Sequence, residues 1–358
     1  MHLGGLRPTA HGKTKRENKA FHYNHSLQVT AGHSITAVIP VHNRADLLER
    51  LLATVRAQTV PLTEVLVIDN ASSDSAPDVA RAAGARVVAM GENTGFARAV
   101  NRGWREAHTE WVAILNSDVE LDTRWLERLL ANAGDTSFAT GTILDARNRG
   151  LIDGTYDLVS RGACAWRAGH GEPADVPRTA RPSAPPTMIA IAPGTACLFR
   201  RDVLERLGGF DETFGSYLED IDLGLRCLRA GLSGVYIAEA LAWHHGSATL
   251  GRWDARVVRQ IARNQLLLVA RHYDRELFRA CFWPIVAGQL LWGLVALRHG
   301  AALAWCAGKR EGLRGFRLSA RPSAPVRDFL AASEAEIRRR AGDSYWRWYF
   351  RLTAGAAH

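Results

Sequence analysis

Two groups of acids in this sequence have the types and spacing that chemistry needs. Asp69 ends the apolar run Glu64-Val65-Leu66-Val67-Ile68, and Asp118 follows Trp111-Val112-Ala113-Ile114-Leu115 by way of Asn116-Ser117. A carboxylate at the end of a buried strand is placed to bind a divalent cation under a leaving diphosphate, because such cations take hard oxygen ligands and often only one or two from the protein. Asp118 reads equally well as the cap of a helix over residues 121–130. The second group is Glu219-Asp220-Ile221-Asp222, three acids in four residues. Crowded carboxylates raise one another's pKa and suit a base that takes a proton from a hydroxyl, while acids at a helix start also favour the helix dipole. The pair His244-His245, on a loop after Trp243, reads by itself as polar surface.

The elements that must position these acids are legible from periodicity. Ile35 to Pro40 is a strand, and Leu47, Leu48, Leu51, Leu52 and Val55 recur at helical spacing after it. The pattern repeats: a strand at 64–69, a helix through Val79 to Ala83, a strand at 86–89, a helix from Gly95 to Ala107 and a strand at 111–115. Four strands alternating with three helices predict an α/β fold with a mostly parallel central sheet, and ligands in such sheets bind beyond the carboxyl ends of the strands. Pro40-Val41-His42-Asn43-Arg44 stands where a dinucleotide site would need GxGxxG, which excludes a hydride-transfer enzyme. Further on, a strand ends at Arg200, a helix follows from Arg201 to Leu207, another opens at Tyr217–Leu223 and runs to Arg229, and a strand covers 235–237. Residues 145–190 are irregular, with a proline- and alanine-rich loop at 178–186.

The chain has 358 residues and a net charge of +9, unevenly spread. Residues 1–34 carry five basic and one acidic side chain, residues 271–358 fifteen and seven, and the middle is mildly acidic and free of lysine. Basic flanks around an acidic body exclude a nucleic-acid binder and suit a catalytic body held against an anionic membrane surface. The five cysteines lack a CxxC pair and are expected to be reduced. The N-terminus shows no secretory h-region, which predicts a cytoplasmic protein, peripheral on the inner face of the cell membrane.

The motifs taken in order resemble the inverting glycosyltransferases of family 2, in particular their rhamnosyltransferase-like branch. They are Val38-Ile39-Pro40-Val41-His42-Asn43-Arg44, Val67-Ile68-Asp69-Asn70-Ala71-Ser72-Ser73-Asp74, Glu92-Asn93-Thr94-Gly95-Phe96-Ala97, Leu115-Asn116-Ser117-Asp118, Gly208-Gly209-Phe210-Asp211-Glu212 and Tyr217-Leu218-Glu219-Asp220-Ile221-Asp222-Leu223. The resemblance runs from about Ser34 to Tyr273 and implies the GT-A nucleotide-diphospho-sugar transferase fold. It implies donor binding by Pro40, Asn43, Asp69, Asn93, Gly95 and Asn116, with Asp69 on the nucleobase. Asp118, the last acid of a DxD-type motif whose first position here is Asn116, would bind Mg²⁺ or Mn²⁺ together with His244, adjacent His245 being the competing ligand. Asp220 would be the general base, with Glu219 or Asp222 orienting it or capping the helix, and Gly194, Thr195 and Glu219 would lie on the acceptor side. This reading leaves Phe96 as core or donor-facing, Asn101 as sugar-facing or solvent-facing, and Trp166 as a stacking platform or a structural indole. The implied partners are a nucleotide-sugar donor, dTDP-rhamnose before UDP-hexoses, and a glycan or lipid-linked acceptor in cell-envelope polysaccharide synthesis.

The expected organisation is a basic extension at 1–33, a catalytic domain at 34–254 with its donor half at 34–120 and its acceptor and base half at 121–254, amphipathic and apolar membrane-associated helices at 255–321, and a helical tail at 322–358. The apolar stretch 277–297 has the length of a membrane span, although Arg279 and Pro284 make it a poor one, so helices lying in the interface are expected there. Gln260-Ile261-Ala262-Arg263-Asn264 lacks the tryptophan of the QxxRW pattern that processive polysaccharide synthases carry, which favours single-sugar addition. The rival from another class is an inactive nucleotide-sugar-binding scaffold of an envelope assembly complex.

Overall fold

Short apolar strands alternating with amphipathic helices build the first half of the molecule. The computed structural model describes residues 32–174, 186–246 and 253–355; the N-terminal basic extension up to residue 31, the loop over 175–185 and Ser247 lie outside the described residues. The order is β1 (Ile35–Val41), α1 (Ala45–Arg56), β2 (Glu64–Asp69), α2 (Ala76–Ala82), β3 (Arg86–Ala89), α3 (Phe96–Glu106) and β4 (Trp111–Leu115). β1 pairs in parallel with β2 and β4, and β2 with β3, so Val41 stands beside Asp69 at the carboxyl edge. Strand alternation divides the core between two layers. Ile35, Ala37, Ile39 and Val41 meet Leu48, Leu51, Leu52 and Val55 of α1, while Val38 meets Val100 and Trp104 of α3 on the other face. α3 lies so close to β1 that a Cβ on Gly103 would stand 2.3 Å from Val38 Cγ1, which only glycine avoids.

The second half mixes strand directions. It comprises β5 (Val119–Leu121), α4 (Trp125–Ala133), β6 (Phe138–Asp145), β7 (Ile152–Gly154), β8 (Asp157–Val159), β9 (Ala165–Arg167), β10 (Thr187–Ile189), β11 (Ala196–Arg200), α5 (Arg201–Leu207), α6 (Glu219–Arg229) and β12 (Gly234–His244). The sheet runs β10-β12-β6-β11-β4-β1-β2-β3, with β5 on β12 and β7 on β6. β11 is antiparallel to both β4 and β6, and β10 to β12; the other neighbours on this path that pair directly are parallel. β8 and β9 form a separate hairpin.

Two local expectations change. The helix expected at 121–130 begins at Trp125, because Val119–Leu121 pairs with β12 instead. The strand expected at 235–237 runs on to His244 as one long strand, β12, bent by a register shift between Ile237 and Leu241.

The remaining helices are α7 (Ala255–His272), α8 (Arg275–Ala280), α9 (Phe282–Arg298), α10 (Ala302–Leu313), α11 (Ala324–Arg340) and α12 (Ser344–Thr353). The apolar stretch 277–297 is broken at Cys281, between α8 and α9. Pro284 falls in the first turn of α9, where a missing N–H is tolerated. No helix among the described residues is long and apolar enough to cross a membrane. Leu268, Val269, Tyr273, Leu277, Ile285, Val326 and Leu330 share one core cluster with Ile191, Phe214, Ile221 and Leu225 around α6. α11 and α12 grip the β8–β9 turn: Glu334 pairs with Arg161 at 2.8 Å, and the Tyr349 hydroxyl accepts from Gly162 N. The five cysteines are free, and only Cys306 is exposed.

Candidate active site

The carboxyl ends of β1, β2 and β3 are tied into one rim by side chains of the connecting loops. Asn43 and Arg44 take left-handed backbone (φ 63° and 64°), which turns the chain from β1 into α1. Asn43 Oδ1 accepts from Ser73 N at 2.7 Å, and Asn43 N donates to Ser72 Oγ at 2.9 Å. Asp69 is buried, and its Oδ1 accepts from Ser72 N at 3.0 Å. Asn70 joins this rim to the next loop, accepting from Thr94 N and donating to Asn93 Oδ1 and the Gly95 carbonyl. Pro40, Asn43, Asp69, Asn93 and Gly95 are thereby gathered at one edge. Gly95 has φ 85°, and its Cβ would meet the Gly215 carbonyl carbon and oxygen at 3.0 Å, so its close approach is to the loop before α6. Ala97 N donates to that same carbonyl at 2.8 Å, and Phe96 N to Ser216 Oγ at 3.0 Å.

Asp118 and the end of β12 form a second cluster. The Asp118 carbonyl accepts from His245 N at 2.9 Å, which pins the two segments together. Successive side chains at the end of β12 part company: His244 Nε2 lies 3.3 Å from Asp118 Oδ1, whereas His245 Nε2 lies 2.8 Å from Glu120 Oε1. The far nitrogen of His244, Nδ1, lies 2.9 Å from Asp153 Oδ2 on β7. Burial opposes a charged imidazole, but two flanking carboxylates outweigh it and raise the His244 pKa to about 9. Burial likewise works against ionised Asp153, yet His244 and Arg167 bring it down to about 2, and Asp118 is held below its ordinary value despite burial by the same histidine.

Arg167 on β9 extends the chain of charges, reaching Asp153 at 3.5 Å and Asp157 at 3.4 Å. Asp157 is buried, and desolvation aided by the charge of Asp220 pushes its pKa up to about 7 against the pull of Arg167. No signal in the sequence marks Asp153, Asp157 or Arg167, because each sits on a three-residue strand whose pairing is set by tertiary contacts.

Asp220 is the second residue of α6, which starts after two left-handed residues, Tyr217 and Leu218 (φ 69° and 67°). Its Oδ2 accepts from Gly194 N at 3.0 Å and its Oδ1 from Ile221 N at 2.8 Å, so the carboxylate is oriented by backbone while the residue stays partly exposed. Gly194 and Thr195 lead to the Asp118 loop, since the Thr195 carbonyl accepts from Asn116 N at 2.9 Å. Glu219 is buried with Oε2 lacking a hydrogen-bond partner, and burial beside Asp220 raises its pKa well above the carboxylate range. Asp222 turns away from Asp220: it bonds Arg226 at 2.7 Å and His272 at 2.9 Å, a buried structural triad. Asn101 is neither sugar- nor solvent-facing; it is fully buried, bridging Phe210 and Glu212. Phe96 packs partly buried against Phe210, and Trp166 lies under the Arg340 guanidinium at 5.7 Å.

Among the described residues no group of three His, Cys, Asp or Glu side chains converges to hold a metal ion. Asp118 and His244 are a two-donor set, with donor atoms as close as two neighbouring ligands of one divalent ion, about 3 Å. Two protein donors suit a cation that takes its remaining oxygens from a substrate diphosphate and water.

The sheet with acids at its carboxyl rim is the GT-A fold. The solved structure of GalNAc-T7 with UDP, GalNAc and Mn²⁺ matches at a TM-score of 0.56 and 12% identity, over 90% of this chain and 58% of that one, a likeness in fold. The family model described as Glycosyl transferase family 2 matches residues 36–208, and that of Glycosyl transferase family group 2 matches residues 178–308. Together the two matches span residues 36–308 and, with the relatives that follow, support a glycosyl transferase family 2, rhamnosyltransferase-like protein. It is 29% identical over 291 residues to the N-acetylglucosaminyl-diphospho-decaprenol L-rhamnosyltransferase of Mycobacterium tuberculosis (strain CDC 1551 / Oshkosh), spanning 74% of this chain and 92% of that protein. It is 31% identical to the pre-mycofactocin glycosyltransferase of the same strain, over 62% of this chain and 45% of that protein.

Proposed function

We propose that the protein transfers one sugar from a nucleotide-diphosphate donor, dTDP-rhamnose before UDP-hexoses, to a hydroxyl of a polyprenyl-linked or glycan acceptor in cell-envelope polysaccharide synthesis. The observation that carries this is the pairing of two differently equipped carboxylates: Asp118 beside His244, and Asp220 oriented by the Gly194 and Ile221 amides. The lipid-linked acceptor is favoured by the likeness to a rhamnosyltransferase whose name includes a diphospho-decaprenol.

In this reading Asp69 holds the nucleobase, Pro40 and Asn43 line its pocket, and Asn93, Gly95 and Asn116 border the rest of the donor. Asp118 and His244 would hold a divalent cation, Mg²⁺ or Mn²⁺, which would supply neutralisation of the charge that develops on the leaving diphosphate. Asp220 takes the proton of the acceptor hydroxyl, which attacks the anomeric carbon from the face opposite the leaving group, and configuration inverts. Both Asp220 oxygens already accept a backbone N–H, so the carboxylate meets its substrate without reorienting. Gly194, Thr195 and Glu219 border the acceptor. The basic C-terminal flank and a lipid-linked acceptor together argue for a peripheral seat on the inner face of the cell membrane.

The test is transfer from dTDP-rhamnose and a panel of UDP-hexoses to polyprenyl-diphosphate-linked GlcNAc, with Mn²⁺ or with chelator, and NMR assignment of the product anomer. Asp220→Asn is expected to lower kcat about 10²- to 10⁴-fold. Near wild-type transfer by a folded Asp220→Asn protein would remove Asp220 from the role of base, and a retained anomeric configuration would overturn the single displacement.

A further inference from the structure

α9 carries a stripe of apolar side chains that the protein leaves uncovered. Trp283, Leu290, Leu294 and Leu297 are each about half exposed or more, at 48%, 55%, 60% and 60%. At 3.6 residues per turn these four fall within about 60° of one another around the helix. The opposite side of α9, including Ile285, Gly288, Gln289 and Ala296, is buried against the body, so the helix lies along the surface rather than projecting from it. α12 continues the stripe. Trp283 Nε1 donates to the Leu352 carbonyl at 2.7 Å and the Tyr345 hydroxyl to the Gly288 carbonyl at 3.1 Å, which sets exposed Trp348 and Leu352 beside the N-terminal half of α9.

The charged side chains on the two helices of this face are basic only, exposed Asp343 being the cap that precedes α12. α9 and α12 contain no Asp or Glu, and Arg298, Arg347 and Arg351 are exposed on them. The Arg351 guanidinium sits 5.2 Å from the Trp348 ring, so cation and indole are presented together. An isologous contact with a second copy would set arginines against arginines. An anionic bilayer instead takes the leucines into its acyl boundary, the indoles at its headgroup level and the arginines among its phosphates.

The face is also joined to the candidate active site. Gln289 of α9 donates to the Gly162 carbonyl at 2.8 Å, and Gly162 is in the turn of the hairpin whose strands carry Asp157 and Arg167. We propose that the α9–α12 face is the surface by which this protein docks flat on an anionic lipid bilayer, presenting the acceptor side of its site to a lipid-linked substrate. The docking face stands on its own geometry; the identity of the substrate rests on the function proposed above.

The experiment is flotation of the full chain with phosphatidylcholine vesicles, with and without phosphatidylglycerol, for wild type, the triple variant Leu290→Gln/Leu294→Gln/Leu297→Gln, and Arg347→Gln/Arg351→Gln. All five positions are exposed, and circular dichroism and thermal unfolding report whether each variant folds. Wild type is expected to bind the anionic vesicles and not the neutral ones, and each variant to lose roughly tenfold or more in vesicle affinity. Transfer to a water-soluble acceptor analogue is expected to stay unchanged in the folded variants. Equal vesicle binding by wild type and the triple variant overturns the proposal. A wild-type dimer in light scattering that the triple variant dissolves also overturns it, in favour of a second copy of the chain. Absence of transfer by wild type to any acceptor, with vesicle binding lost in the variants, would overturn the functional reading and leave the docking face intact.

Discussion

His244 makes the metal-free protein pH-sensitive in a way that can be read quantitatively. Between Asp118 and Asp153 its pKa is raised to about 9 from an ordinary value of 6.5. One pKa unit is worth about 1.4 kcal/mol, so the imidazolium between its two carboxylates contributes about 3 kcal/mol to folding. Because the folded pKa lies above the unfolded one, this contribution is fully present below about pH 6.5 and is lost as pH rises through about 9. Lys309 works in the opposite direction over part of this range: burial lowers its pKa to about 7, so the unfolded state binds more protons above that pH and stability rises. The measurement therefore needs a difference. Denaturant unfolding in chelator, at about pH 6 and about pH 10, compares wild type with His244→Gln, in which Lys309 and every other titrating group remain. Wild type is expected to lose about 3 kcal/mol more than the variant between the two pH values. Equal pH dependence in the two proteins, or an NMR titration of the His244 ring near its ordinary value, would refute the carboxylate-histidine-carboxylate arrangement.

Asp153 holds the nitrogen of His244 that faces away from Asp118, and Asp153→Asn is expected to weaken Mn²⁺ binding by about 10- to 100-fold in calorimetry above the His244 titration, where protons no longer compete. Gly95→Ala forces a left-handed alanine whose Cβ meets the Gly215 carbonyl at 3.0 Å, and a loss of about 1–3 kcal/mol in denaturant unfolding is the expected result. Glu334→Ala removes the buried carboxylate that accepts from Arg161 N, the Arg161 guanidinium and the Tyr349 hydroxyl and should cost about 3–5 kcal/mol, with Glu334→Gln milder because it keeps one acceptor; equal stability of both variants with wild type would show that the C-terminal helices do not hold the hairpin turn.

The parallel half of the fold was legible because each element there carries its own signal. Apolar runs such as Val65 to Ile68 stop on an acid, and α1 announces itself by leucines at helical spacing. The mixed half was not, because β7, β8 and β9 are three residues long and exist through pairing with distant partners. The same holds for the site. Asp69, Asp118 and Asp220 stand at strand or helix ends, where their roles have a local pattern, but Asp153, Asp157 and Arg167 become neighbours of the site only once the short strands are placed. The choice between His244 and His245 was closed to any local pattern as well, since it turns on how β12 pairs with β5 and β6. The long apolar segment was legible only in part: hydropathy reports length and composition, whereas the break at Cys281 and the buried underside of α9 depend on what that helix lies against.

The short strands that escaped notice are also the link between the two ends of the molecule. Arg167 couples Asp153, and through it His244 and Asp118, to Asp157, whose own protonation responds to Asp220. Among the described residues the hairpin that carries Asp157 and Arg167 has no sheet partner beyond its two strands, and it is held at its turn by Glu334, Tyr349 and Gln289. These holding residues belong to α9, α11 and α12, at positions where the chain, met as a sequence, looked like a membrane appendage and a tail. A perturbation of those helices therefore reaches the proposed cation site through the hairpin. Glu334→Gln, which touches no residue of that site, is expected to shift the NMR titration of the His244 ring, while an exposed control such as Leu303→Gln on α10 leaves it unmoved. If the His244 titration is the same in all three proteins, the hairpin does not transmit and the C-terminal helices serve the fold alone.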